Sequence, residues 1–338
     1  NTNDEASYEF EAKIPSSLAN VTITDETIVG YGAFSNASSI QSITFANNDK
    51  NESTLIKIDN YAFYNCSSLD TITIPNSVVT IGAYAFAHND ALYEDCEDVL
   101  TIPESVEEIG AYAFAYSNGL SSFKLLNAKI GTYMFYNCLG FKAITIPSNI
   151  IEIGAYAFAN CINICGKENS DAIFDAKLAI TFENNVIGSH MFDGCTGITS
   201  LVISQTIEYV YDYAFANCTN LSEIEFNNAL IGEYMFYNDI SLENVVVPEN
   251  IKTIRIGAFE NCTNLANLTL PFVGKERSNN NSNEALFGYI FGSRREEADN
   301  VVSQFYAKTD DPYYSDIEQR NTNDEASYEF EAKIPSSL

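Results

Sequence analysis

The chain repeats one pattern of hydrophobic and polar positions along most of its length. The clearest copy is IGAYAFANC at residues 153–161, and each variant of it contains a marker Phe. Ten markers follow one another at steps of 21 to 34 residues, with a base step of 21 to 23 and a degenerate eleventh at Phe291. The ten are Phe34, Phe63, Phe86, Phe114, Phe135, Phe158, Phe192, Phe215, Phe236 and Phe259. This period predicts a solenoid, because one coil this short can bury its apolar side chains only against neighbouring coils.

Each coil also contains a Leu-x-x-Ile-x-Ile pattern, as at Leu69, Ile72 and Ile74. The alternation of its last part is typical of a short strand with one face inward. A following Pro, such as Pro75, ends that strand and turns the chain. A further apolar step before the marker phrase, as at Ile153, predicts a second extended or turn-like segment that closes the coil. The predicted fold class is therefore a repeat solenoid, mainly β, of about eleven coils.

Two coil types alternate from Phe114 onward. The shorter type lacks two residues and the Pro, and its marker phrase ends in Met-Phe. All three methionines lie there, at Met134, Met191 and Met235. The repeating unit in this part of the chain is thus a pair of coils.

Six cysteines occupy one repeat position, three residues after a marker Phe: Cys66, Cys138, Cys161, Cys195, Cys218 and Cys262. We interpret them as small buried thiols, one in each coil. Disulfides between stacked neighbours are the alternative, if the Cα atoms come within about 7 Å. Cys96 and Cys165 lie in insertions and are the candidate reactive or pairing thiols. No CxxC pair occurs and the chain has only 2 His, so no metal site is predicted.

Tyr recurs two residues before the marker, at Tyr61, Tyr84, Tyr112, Tyr133, Tyr156, Tyr213 and Tyr234. Such a column is either half-buried filler or a contact stripe, because Tyr combines a large apolar area with a polar tip. His190 occupies the same position, which indicates packing rather than catalysis.

The composition and net charge limit the classes of partner that the chain is expected to bind. The 17 basic residues against 46 acidic ones give a net charge of -29, which argues against nucleic acid and anionic membrane surfaces. The sequence contains no apolar run of about 20 residues, so no membrane span is predicted. An acidic insertion at residues 90–98 lacks the alternating ligands of a calcium loop, so a solvated loop is predicted there. No cofactor is predicted.

The phrases at residues 69–89 and 141–161 resemble the BspA-like leucine-rich repeats, whose pattern runs L-x-x-I-x-I-P-x-x-V-x-x-I-G-x-x-A-F-x-x-C. The resemblance covers roughly residues 14–292. It implies a right-handed solenoid with a short parallel sheet along one side, and a cell-surface or secreted protein that acts in adhesion. The Met-Phe coils depart from the pattern because they lack the Pro, and we expect a less regular structure there. The resemblance does not imply a ligand.

The first eighteen residues, NTNDEASYEFEAKIPSSL, recur without change at residues 321–338. We interpret this as the start of a second tandem unit, so that residues 1–13 are a lead and 293–320 a connector. Aromatic residues of the connector are predicted either to fold against the preceding coil or to form contacts between units or neighbouring chains: Phe305, Tyr306, Tyr313 and Tyr314. The expected partner is another unit, joined head to tail, with lateral bundling of chains as a further possibility.

Three classes of function compete. A structural and adhesive fibre on the cell surface, made of tandem units, is the main prediction. A monomeric surface adhesin that binds a host protein, a neighbouring cell or a glycan is the alternative. An enzyme is not expected, since no nucleophile, base and acid come together and no phosphate loop occurs. Asn-x-Ser/Thr sequons occur at Asn20, Asn36, Asn51 and Asn280, whereas Asn65, Asn217 and Asn261 are predicted to turn inward and bind backbone groups.

Overall fold

The computed structural model describes residues 13–45, 53–94, 99–168, 174–176, 179–277, 283–292, 301–307, 327–333 and 337–338. It is a mainly β solenoid with parallel strands and about ten regular turns, which confirms the predicted fold class. Two short 3-10 helices, Asn283–Ala285 and Phe287–Phe291, follow the last regular turn. In the part of the chain that is described, no helix is long and apolar enough to cross a membrane.

The Leu-x-x-Ile-x-Ile segments form the first ladder of parallel strands. Neighbouring coils pair in register, so that Ile144 lies beside Ile180 and Thr145 beside Thr181. Numbered in chain order, its strands are β1 (Asn20–Ile23), β3 (Ser42–Phe45), β5 (Thr71–Ile72), β7 (Leu100–Ile102), β9 (Phe123–Leu125), β11 (Ile144–Ile146), β15 (Ile180–Phe182), β17 (Ser200–Ile203), β19 (Glu223–Phe226), β21 (Asn244–Val246) and β23 (Asn267–Thr269).

The second extended segment forms a ladder of its own rather than a simple turn. Its strands are β2 (Ile28–Val29), β4 (Lys57–Ile58), β6 (Thr80–Ile81), β8 (Glu108–Ile109), β10 (Lys129–Ile130), β12 (Glu152–Ile153), β16 (Val186–Ile187), β18 (Tyr209–Val210), β20 (Leu230–Ile231) and β22 (Thr253–Ile254). All its pairs are parallel. An insertion between the coils adds a small antiparallel pair, β13 (Lys167–Glu168) and β14 (Phe174–Asp175).

The shorter coils replace the Pro turn with a buried Asn. The side-chain amide of Asn127 donates to the carbonyl oxygen of Lys129 at 2.7 Å, and that of Asn184 to Val186 at 2.6 Å. Asn228 makes the same bond to Leu230. An Asn that binds the backbone two residues on closes a tight turn without Pro. The first ladder is interrupted after β5, β9, β15 and β19, and the last three of these strands each precede one of these turns.

A column of aromatic rings fills the interior. Nine of the ten marker Phe side chains are fully buried, and Phe34 in the first coil is half-buried. Their ring centroids follow one another at 4.9 to 6.3 Å along the whole solenoid. At these separations ring pairs add to the hydrophobic burial, so one apolar column joins all the coils.

The six column cysteines are buried and free. Each thiol donates to the carbonyl oxygen of the marker Phe in the preceding coil. The Sγ of Cys161, for example, lies 3.1 Å from the carbonyl oxygen of Phe135. Burial raises the pKa of Cys66 to about 11 and that of Cys138 to about 12, so these thiols stay protonated. Among the described cysteines only Cys165 lies outside the column, where it is half-buried; Cys96 falls outside the described residues.

The two ends of the solenoid differ. In the first coil, Leu18 is 38% exposed, although Leu69 in the same position of a later coil is 0% exposed. At the other end, the 3-10 helix Phe287–Phe291 continues the stack of marker phrases, since Phe259 N–H donates to Ile290 O at 3.0 Å. Phe291 is fully buried. The predicted eleventh coil is therefore present in altered form.

Candidate interaction surface

The turns that follow the second ladder carry a row of side chains on backbone of unusual conformation. Positive φ angles of 47° to 61° occur at Tyr61, Tyr84, Tyr112, Tyr133, Tyr156, Tyr213 and Tyr234. His190 has a φ of 49°. Gly32 and Gly257 take this position in the first and last regular coils, also with positive φ. Left-handed backbone is disfavoured for bulky residues, so their stacking must offset the strain in every coil.

These rings form one continuous column, which we call the tyrosine stack. Centroid separations from Tyr61 to Tyr234 lie between 4.2 and 5.0 Å, with interplanar angles of 3° to 15°. Each interior ring therefore covers the faces of its two neighbours and leaves its edge outward. Burial, followed by repulsion from the neighbouring Tyr133, raises the pKa of Tyr112 to about 12. The rings of the stack are half-buried, except Tyr234, which is buried, so the stack serves as packing in every coil that carries it.

His190 lies inside the stack. Its ring centroid is 4.2 Å from that of Tyr156 and 4.7 Å from that of Tyr213, and its Nδ1 is 2.7 Å from Asp193 Oδ2. The Asp fixes the orientation of the ring, while the two Tyr rings cover both of its faces. The position is one of packing, as the sequence predicted.

An amide ladder runs beside the stack and corrects one prediction. Asn65 does not turn inward: its side-chain amide donates to Asn36 Oδ1 at 2.8 Å. In the same way Asn217 donates to Asp193 at 2.7 Å, and Asn261 donates to Asn238 at 2.7 Å. These Asn residues have positive φ, which Asn tolerates well. The backbone points their side chains along the surface, so the inward orientation was wrong.

Substitution of Tyr133 should separate stacking from backbone strain. Tyr133→Ala removes three ring contacts, with Tyr112, Tyr156 and Tyr136, but keeps a Cβ on left-handed backbone, so we expect a loss of about 2 kcal/mol in unfolding free energy. Tyr133→Gly removes the same contacts and relieves the strain, so we expect about 1 kcal/mol less loss than for alanine. Urea unfolding of both variants measures the difference. An alanine variant as stable as the glycine variant would contradict the strained conformation.

A polar cleft lies along the first ladder in the later coils. It has a volume of about 890 Å³ and includes Ser200, Asn220, Glu223, Glu225 and Glu243 in its lining. Hydroxyl, amide and carboxylate groups can bind the hydroxyls of an uncharged sugar or the basic groups of a protein. The described residues contain no group of three or more potential metal ligands.

The C-terminal copy of the repeated segment lies on the last coil. Ser337 Oγ donates to the carbonyl oxygens of Thr263 at 2.7 Å and Leu265 at 2.8 Å. Ser241 makes the corresponding bond inside the solenoid, to Thr219 O at 2.7 Å. In both cases the donor directly precedes a Leu position, and the acceptor lies two residues before the Leu position of the preceding coil. Ser337 and Leu338 therefore occupy the place where a next coil would begin.

The connector and the repeated segment also pair with each other. Strand β24 (Val301–Ala307) is antiparallel to β25 (Ser327–Lys333), with Val301 opposite Lys333 and Ala307 opposite Ser327. The Cα atoms of β25 come within 8 Å of those of the 3-10 helix Phe287–Phe291. Phe305 and Tyr306 lie in β24, whereas Tyr313 and Tyr314 fall outside the described residues.

Sequence reasoning placed the Tyr and Cys columns but missed three features. It did not find the positive φ of the Tyr residues, the turn-closing Asn127, Asn184 and Asn228, or the pairing of the connector with the second copy of the repeated segment. For the Asn residues a signal existed, because in each shorter coil an Asn recurs two residues after the last apolar position of the first-ladder strand, where no Pro is present. For the pairing, the alternation at Tyr328, Phe330 and Ala332 was the available signal.

Parallel ladders around one apolar column, with long rows of outward side chains, define a solenoid repeat protein, a class that binds through extended surfaces. A family profile for the BspA type leucine rich repeat region matches six copies, over residues 6–125, 89–168 and 176–284. The chain belongs to this family, which confirms the resemblance.

Several solved structures are similar to this chain. A leucine rich cell surface protein from Faecalibacterium prausnitzii is 25% identical, with 75% of this chain and 79% of that one covered, at a TM-score of 0.43. A leucine-rich repeat protein from Eubacterium ventriosum is 19% identical, with 79% and 80% covered, at a TM-score of 0.45. The pneumococcal vaccine antigen PcpA is 18% identical, with 78% and 74% covered, at 0.47. No curated protein matches the chain.

Proposed function

We propose that this chain is part of a structural and adhesive protein of the cell surface, in which units follow one another head to tail as one continuous solenoid. The observation that carries the proposal is the position of Ser337. This residue belongs to the second copy of the repeated segment, and its bond to Thr263 has the coil-to-coil register found inside the solenoid.

The exposed first coil supports the same proposal. Ile14 is 44% exposed and Leu18 is 38% exposed, and both belong to the first copy of the segment. Val21 and Ile23 of β1 are only partly buried, because no coil covers this end among the described residues. Uncovered apolar ends of solenoids normally require a cap. A preceding unit would supply that cap by placing its last coil on this surface.

The family supports a location on the cell surface or outside the cell. BspA-type repeats cover most of the chain, and the expectation from that family is surface exposure and adhesion. The negative charge of -29 agrees with a surface protein that avoids nucleic acid and anionic lipid. Each stacked coil lengthens the rod by about 4.8 Å, so one unit would extend the protein by about 5 nm.

The test is the shape of a chain with two units, made by joining residues 1–320 to residues 1–338. We expect electron microscopy of purified particles to show one straight rod of about 10 nm, since about 5 nm is added by each unit. In the matched control, a Gly/Ser linker of equal length replaces the eighteen residues between the units, and we expect two short rods at variable angles. Two independently oriented rods in the unmodified chain would overturn the continuous solenoid. Immunogold labelling of intact cells tests the surface location.

A second candidate is adhesion of a single unit to a host protein or glycan. The polar cleft beside Glu223 and Glu243 favours it, because three carboxylates with Ser and Asn groups suit an uncharged sugar or a basic peptide. A glycan and peptide array tests this candidate with the Glu243→Lys variant as control. Loss of a bound ligand in that variant would place the binding in the cleft, and equal binding would exclude the cleft.

A further inference from the structure

The repeated segment occurs twice in the sequence, and the described residues show one site that receives it. The second copy contributes β25, which pairs with β24, and Ser337, which bonds to the last coil. The sequence of β24, VVSQFYA, appears only at residues 301–307. In the first copy, the described residues 13–18 are all exposed. Among the described residues, only the second copy is therefore seen at this site.

We propose that the site formed by β24 and the last coil binds the first copy of the segment from a second copy of this chain, by strand exchange. Separate chains would then join end to end without a covalent link. The inference rests on the proposed function, because it uses the same joint between consecutive units. It adds a partner, a second copy of this chain, and a mechanism, the replacement of one strand by an identical one.

The first copy can take the position of β25 because the two copies have the same sequence. Residues 7–13 have the sequence of β25, so the observed register translates directly: Lys13 would lie opposite Val301, and Ser7 opposite Ala307. Main-chain hydrogen bonds supply most of the affinity in strand addition and do not depend on which chain brings the strand. The alternation at Tyr8, Phe10 and Ala12 gives the first copy the same apolar positions as β25.

The edges of the first ladder carry the second step. Among the described strands, β1 and β23 are the outermost members of the ladder at its two ends. Because all pairs in this ladder are parallel, β1 of an arriving chain can pair with β23 in the same direction. Docking would also bury Leu18, which occupies the position of the fully buried Leu69. Open edges and apolar surface of this kind promote association between chains.

Exchange depends on competition between the two copies of the segment for the site formed by β24 and the last coil. The second copy is tethered to its own site, and a short tether gives an effective concentration in the mM range. A free first copy at µM concentration is therefore outcompeted by about a thousandfold. The second copy acts as an internal cap, and chains join only where it has been displaced.

The first measurement checks the joint within one chain. Ser303 and Glu331 are opposite each other in the β24–β25 pair. Directly opposed antiparallel residues have Cα atoms about 4.5 to 5.5 Å apart, which a disulfide can bridge. In a Cys96→Ser, Cys165→Ser background, the S303C/E331C variant should form an intramolecular disulfide in most molecules. Failure of this bond would overturn the joint itself, and with it both the exchange and the proposed function.

The second measurement checks exchange between chains in the same background. An acceptor chain carries S303C and F330P, because Pro removes a backbone donor from β25 and weakens the internal cap. A donor chain carries E11C, which corresponds to Glu331 in the first copy. We expect an intermolecular disulfide when the chains are mixed, and a rise of at least about tenfold over an acceptor with intact Phe330. Thermal unfolding confirms that the acceptor solenoid remains folded.

The matched control is a donor that also carries F10P, which disables the first copy in the same way. Loss of the intermolecular disulfide with this donor supports exchange by strand pairing. Equal cross-linking with and without F10P would overturn it, because the contact would then be independent of the strand. An intramolecular bond in the first measurement without any intermolecular bond in the second would overturn exchange between chains and leave the tandem solenoid intact.

Discussion

Replacement of Gly154 with alanine should destabilise the solenoid by about 4 kcal/mol or more, a size reached when a substitution forces the backbone apart. Gly154 lies four residues before marker Phe158, where consecutive coils are in contact. A Cβ at this position would lie 2.3 Å from Thr132 N and 2.6 Å from Gly131 C. Both atoms belong to the backbone, so no rotation of a side chain can relieve the clash. Gly82 and Gly110 meet the backbone of the preceding coil in the same way.

Gly30 provides the matched control, since it occupies the same repeat position in the first coil. A Cβ there would meet nothing within 4 Å, because no coil lies beneath it among the residues that the structure describes. We expect Gly30→Ala to change the unfolding free energy by less than about 0.5 kcal/mol. Urea unfolding of the two variants measures the difference. Equal stability of the Gly154 and Gly30 variants would contradict the close stacking of coils.

The sequence predicted the features that depend on side-chain polarity. The Ile-x-Ile alternation located the first ladder, and the spacing of Phe158 and its equivalents located the core. Cys161 and its equivalents could be predicted as buried because they share one repeat position. In each case the periodic residue is apolar or small, so its favourable position is buried in the interior.

The features that were missed depend on backbone geometry. The sign of φ at Tyr133 cannot be inferred from the residue type, because Tyr rarely adopts left-handed backbone. Asn65 was placed inward for the same reason: its side-chain direction follows from a positive φ. The eleventh coil was predicted from Phe291, but the phrase around it forms a 3-10 helix. The joint at Ser337 required the register of coils that are adjacent in space and 74 residues apart in sequence.

Asp239 replaces cysteine in the buried column, and it makes stability depend on pH. The residue is 0% exposed, and neither carboxylate oxygen has a hydrogen-bond partner among the described residues. Burial raises the pKa of Asp239 well above its ordinary value of 3.8. The equivalent thiols and Ser117 donate to a Phe carbonyl; Ser117 Oγ, for example, is 3.0 Å from Phe86 O. Only the protonated carboxyl can act as such a donor.

The direction of the pH effect follows from proton linkage. In the unfolded chain Asp239 ionises near its ordinary pKa, whereas in the folded chain it keeps its proton to higher pH. Between these two pKa values the folded state binds more protons, so its stability falls as pH rises, by up to about 1.4 kcal/mol in each pH unit. Below the unfolded pKa the penalty is absent. Above the folded pKa the penalty is complete.

Asp239→Asn should therefore stabilise the protein at neutral pH and have little effect in acid. Asn89 occupies the same repeat position in another coil, where its Oδ1 accepts from Cys66 N–H at 2.8 Å, so the column accepts an amide. We expect a gain of about 2 to 3 kcal/mol at pH 7, the usual size for removing an unpaired buried charge, and none near pH 3. Asp239→Cys, which restores the column residue, should give the same difference. Urea unfolding at both pH values measures it, and the other carboxylates cancel because all three chains share them. A gain that is equal at pH 3 and pH 7 would show that packing, not ionisation, accounts for the effect.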